Sequence, residues 1–128
     1  MTSDVVDLNP TLIEPRDMKP LRMHEHEGTI SLLLDCGNTP VDDAIRDSGH
    51  EPNGEFWTGI ATLLVEHELT DLEGAFDYDP EAGMFCAIGE DRAALERLGN
   101  AMAVVANDPA RLTALVAAAD AEGFEFDD

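Results

Sequence analysis

The residues whose types and spacing could support chemistry fall in a few short runs. In His24-Glu25-His26-Glu27 two imidazoles stand two positions apart, so on a strand they share one face, and the neighbouring carboxylates could complete a metal site. A helical zinc pair needs histidines at i and i+4, and this run falls where a turn is expected, so a solvated hairpin end is the simpler reading. A small metal-dependent hydrolase using His24 and His26 is the enzymatic alternative. Asp77-x-Asp79-x-Glu81 repeats oxygen ligands as a calcium loop does, but Ala82 and Ile88 stand where that loop needs a glycine and a bidentate glutamate. An acidic β-turn accounts for these residues. Cys36 and Cys86 have four histidines as candidate bases, yet a reactive thiolate needs an electropositive setting, and this chain supplies the reverse. We read both as reduced, mostly buried small residues. His67, between Glu66 and Glu68, reads as a satisfied histidine at a core edge. No catalytic residue, metal site or cofactor is assigned.

Charge is the dominant feature. The 128 residues hold 28 Asp+Glu against 7 Lys+Arg, a formal net charge of −21. Nucleic acid and anionic membrane surfaces bind through Lys and Arg, so both are excluded as direct partners. From Asp47 to Asp91 there are twelve acidic residues and no Lys or Arg, which predicts an almost uniformly negative face. Such a face attracts a cationic macromolecule over a Debye length of about 8 Å and speeds its association. High-salt adaptation, in a binding domain with no such partner, is the competing explanation for a chain with one lysine. A hydrophobic fraction of 44% is ordinary for a folded domain, and the acidic N-terminus shows no signal peptide, so a cytoplasmic location is expected.

The elements that position these runs follow from periodicity and punctuation. Residues 20–36 alternate as two strands around Gly28. Thr39-Pro40, with Asp42 three residues on, has the form of a helix start, and a short helix to about Ser48 is stopped by Gly49. Phe56, Ile60, Leu63 and Leu64 make one apolar stripe on a helix over 55–69. Ala75–Asp79 and Met84–Ile88 form a second hairpin, with Pro80 presetting the turn and Gly83 taking a positive φ. Leu95, Leu98, Met102 and Val105 mark a third helix; Asn107-Asp108-Pro109 separates it from a fourth that stops at Gly123. The order ββααββαα predicts one α+β domain over residues 1–128, an antiparallel sheet of two hairpins covered by about four helices, with residues 1–17 as an arm or edge segment.

The segments GHEPNGEFW and FDYDPEAGMFCA resemble immunity protein family 51 of bacterial polymorphic toxin systems, in which an NG-x-x-W block, a helix and a DPEAGMFCAY block recur. Asn53, Gly54, Trp57, Asp79, Pro80, Glu81, Gly83, Met84, Phe85 and Cys86 match that pattern, whereas His50 and Ile88 stand where aromatic residues are usual. The resemblance implies a non-enzymatic cytoplasmic antidote that binds and blocks a cognate toxin with a basic surface, and it leaves the oligomeric state open. Glu51, Glu55, Trp57, Glu66, Glu68, Asp77, Asp79 and Glu81 are the implied contact residues. For Trp57, one position off the apolar stripe, a packing anchor is the preferred reading over an interface hot spot.

Overall fold

The computed structural model describes residues 18–126. The predicted N-terminal arm, residues 1–17, lies outside them. Strands β1 (Leu21–His26) and β2 (Thr29–Asp35) form the first hairpin, closed by Glu27 at φ 53° and Gly28 at φ 84°. Two positive φ angles match the right-handed twist of the strands they join, and glycine adopts one without steric cost. Helix α1 (Asp42–Asp47) and helix α2 (Gly54–His67) follow, then a 3-10 turn (Thr70–Leu72). The second hairpin pairs the short β3 (Asp77–Tyr78) with β4 (Met84–Gly89), and α3 (Arg92–Ala106) and α4 (Pro109–Glu122) complete the chain. All pairings are antiparallel and the sheet order is β1-β2-β4-β3, so the two hairpins join through β2 and β4 in the α+β arrangement expected.

Side-chain alternation assigns the two faces of the sheet. Ile30, Leu32 and Leu34 of β2 and Phe85 and Ala87 of β4 are buried beneath α2 and α3, and α4 packs against α3 and α1. The predicted apolar residues of α2, α3 and α4 all enter this core. Local capping bounds the helices as their sequences indicate. Asn53 accepts from the Phe56 N–H at 2.8 Å, Asp91 from Ala94 and Asp108 from Ala110 and Arg111; Gly123 closes α4 at φ 80°.

Three local expectations are corrected. Helix α1 begins at Asp42 rather than at Pro40. The Thr39 hydroxyl donates to Asp42 Oδ1 at 2.5 Å and accepts from the Val41 N–H, which closes a turn ahead of the helix. Gly83 lies outside the left-handed region. The turn it occupies is closed by Glu81 and Met84, whose N–H groups each donate to the other's carbonyl, at 2.8 and 3.2 Å. His67 is exposed rather than at a core edge, and its Nε2 meets Glu122 Oε1 at 3.2 Å where α2 and α4 end side by side. No helix among the described residues is long and apolar enough to cross a membrane.

Candidate functional site

The conspicuous sequence blocks meet at one end of the molecule. The turn of the second hairpin is held from outside by two donors. The Gly54 N–H, in the first turn of α2, donates to the Ala82 carbonyl at 3.3 Å, and the Cys36 N–H, just past β2, donates to the Gly83 carbonyl at 3.0 Å. A Cβ at Gly54 would collide with the carbonyl oxygens of Glu81 and Met84, so only glycine lets the helix come this close. Asn53 caps α2 and Gly54 admits the turn, which gives both halves of the Asn-Gly pair a structural task.

Trp57, three residues after Gly54 in α2, is 0% exposed. Its ring meets Phe56 edge-on at 5.8 Å, and Nε1 has no hydrogen-bond acceptor among the described residues. As an implied contact residue Trp57 is therefore corrected: a side chain with no exposed surface cannot itself meet a partner, and the indole is a packing anchor of the core. Phe56 carries a second aromatic group, stacked on Phe126 at 4.8 Å, with His50 edge-on to Phe126 at 4.7 Å. The C-terminal residues Phe124 and Phe126 thus fold back over α2 at Gly59, where a Cβ would strike the Phe126 ring. Nothing in their local pattern had marked them as core.

The remaining implied contact residues divide between two places. Glu55 in the first turn of α2, Asp77 on β3, Asp79 beyond it and Glu81 in the turn cluster around the second hairpin, and Glu51 lies exposed just before α2. Among the described residues no arginine or lysine lies within ion-pair distance of Glu55, Asp77, Asp79 or Glu81. Glu66 and Glu68 lie at the other end of α2, where tertiary structure brings arginines to Glu68 and to Asp71 but, among the described residues, none to Glu66. Arg111 of α4 pairs with Glu68, and Arg97 of α3 holds Asp71 through two hydrogen bonds of 2.6 and 3.2 Å. The expected uniform negativity of the 47–91 surface is thereby corrected. The other described arginines, Arg22, Arg46 and Arg92, pair with Asp35, Asp43 and Glu25.

Two thiols report the field at the hairpin end. Burial pushes the Cys36 thiol up to about 11, and the carboxylates of Asp42, Asp35 and Glu55 push in the same direction. Burial raises Cys86 as well, with Asp79 and Glu81 adding to it against a lowering hydrogen bond with Ser31. Burial first, and the nearby negative charge in addition, oppose forming a thiolate, so both cysteines favour the neutral thiol. Both are free and half-buried, rather than mostly buried. Asp35 and Asp42 are the carboxylates that the sequence did not place here; they arrive from the end of β2 and the start of α1.

His24 and His26 do share one face of β1, but Glu25 points to the other face, where Arg92 of α3 takes it. Among the described residues no group of three His, Cys, Asp or Glu side chains is arranged to hold a metal ion.

The strand order and the helix pairs define an α+β domain in which the Asn-Gly and hairpin blocks meet. The family model of immunity protein 51 matches residues 21–121, from the first residue of β1 to the last turn of α4, and the chain belongs to that family. No curated protein and no solved structure matches it significantly.

Proposed function

We propose that this immunity-family protein neutralises a cognate toxin of a bacterial polymorphic toxin system in the cytoplasm, by stoichiometric occlusion and without catalysis. The second hairpin and the first turn of α2 form the acidic surface that meets the toxin, with Glu51, Glu55, Asp77, Asp79 and Glu81 facing its cationic residues. The observation that carries this reading is the contrast in ion pairing. Every described arginine is engaged by an acid elsewhere on the molecule, while Glu55, Asp77, Asp79 and Glu81 have no cation within ion-pair distance among the described residues. Carboxylates left without internal counter-charges retain their field for a partner, which raises the association rate and disfavours partners of like charge.

Co-expression with the toxin encoded beside this chain tests the reading. Growth should be restored by the wild-type chain and lost again when Asp77, Asp79 and Glu81 are all changed to Lys. Toxicity that persists with the wild-type chain present rules the reading out. Unfolding followed from low to molar salt separates the salt-adapted alternative, which requires that the chain lose its fold at low salt.

A further inference from the structure

The sheet has a second face, turned away from α2 and α3. The registers place Leu33 between Arg22 and Cys86, and Ser31 between His24 and Ile88, all pointing outward. Asp77 stands opposite Ile88, and the Asp79 N–H donates to the Cys86 carbonyl at 2.9 Å, so both acids lie along the β3 edge of this face. Met84 adds a further outward apolar side chain next to the hairpin turn. Across the strands the surface passes from arginine and imidazole on β1, through Leu33, Met84, Cys86 and Ile88, to the carboxylates of β3. The four central side chains are half-buried and lie outside the core on the opposite face. No element among the described residues packs over them. A cavity of about 550 Å³ opens at the acidic edge between Phe76, Asp77, Ile88 and Glu90.

We infer that this open sheet face is where the toxin docks, an inference that rests on the immunity reading and goes beyond it. The occupant it fits is a protein surface with an apolar centre bordered by Lys or Arg on the side that meets Asp77, Asp79 and Glu81. Charge selects this occupant over a second copy of the chain, because two copies would bring together net charges of −21 each. The division of labour follows from interface physics. Rim carboxylates act mainly on association, and the desolvated apolar centre governs how long the complex lasts. The contact is therefore centred on uncharged residues of β2 and β4, with the acidic hairpin as its border.

The test uses the full chain and the toxin domain encoded beside it. With L33S/I88S, dissociation should accelerate at least tenfold while association changes less than twofold; D77K/D79K should show the opposite split. V104S, on the exposed side of α3, should change neither. In the wild-type chain the methyl signals of Leu33, Met84 and Ile88 should lose more than half of their relaxation enhancement by a soluble paramagnet on binding, a readout that does not depend on any variant folding. Binding that leaves those methyls as accessible as before, or unaltered dissociation of a folded L33S/I88S, overturns the docking face and leaves the immunity reading standing. A free chain that sediments as a dimer with these methyls already shielded also overturns it. A wild-type chain that neither binds nor rescues removes the immunity reading itself.

Discussion

At the C-terminal end of α2, Glu68 meets Arg111 and Asp71 meets Arg97, whereas at the N-terminal end no guanidinium among the described residues reaches Glu55 or the hairpin acids Asp77, Asp79 and Glu81. Both ends belong to one stretch without a basic residue. The arginines that neutralise the first end come from α3 and α4, 26 and 43 residues further along the chain. Each such exposed pair adds little to stability, but it cancels the local field. A partner approaching the molecule therefore meets an acidic surface at the hairpin and a partly neutralised one at the far end, where Glu68 and Asp71 have arginines and, among the described residues, Glu66 and Glu73 do not. A run of like charges in sequence becomes a charged surface only where the fold brings no counter-charge to it.

The contrast can be broken most severely from beneath. Trp57→Ala empties a fully buried core site three residues after Gly54 and should destabilise the protein by about 3–5 kcal/mol, read from urea unfolding; a loss under 1 kcal/mol would mean that the indole supports little. Gly54→Ala should cost about 1–3 kcal/mol, because its methyl meets backbone carbonyls that cannot yield without moving the turn. Gly59→Ala should cost less, since the obstacle there is the edge of the Phe126 side chain rather than backbone. If the two rank the other way, close approach of α2 is not what holds the hairpin.

The electrostatic half of the comparison is sharpened by charge reversal at each end. D77K/D79K/E81K should slow toxin association about tenfold at low salt and flatten its salt dependence. E66K/E68K should do markedly less, because Glu68 already has a cation. Equal effects in stopped-flow measurements would erase the distinction between the ends. The smallest change is expected from Arg97→Ala. A hydrogen bond from Arg97 holds the Asp71 carboxyl below its ordinary value of 3.8. A depressed folded-state value contributes stability above the unfolded value, and that contribution disappears as pH falls through the folded one. Wild type should therefore exceed R97A slightly in stability at pH 6, by an amount that shrinks to nothing well below pH 3.8, in unfolding series at each pH. A difference that grows on acidification would contradict the pair.

Much of this architecture was legible because its signals are local. Caps at Asn53, Asp91, Asp108 and Gly123, strand alternation around Gly28, and the stripes of α2, α3 and α4 each depend on residues within about one turn of one another. The misreadings involve contacts between distant segments. The start of α1 depended on the turn that Thr39 closes with Asp42 and Val41, and His67 lies exposed where it meets Glu122 of α4. Phe124 and Phe126 entered the core only because α2 offers Gly59 as a shallow place to lie. Trp57 looked equally suited to a core and to an interface, since the large apolar surface of an indole serves both.

The amino-acid sequence by itself determined the element order, the excess of negative charge and membership of the immunity protein 51 family, because hydrophobic periodicity, capping and motif spacing are properties of neighbours along the chain. Only the tertiary structure decided which carboxylates the described arginines leave unopposed and which face of the sheet the described helices leave uncovered. Electrostatic neutralisation and burial act through distance in space, and residues 26 or 43 positions apart become neighbours only once the helices have packed.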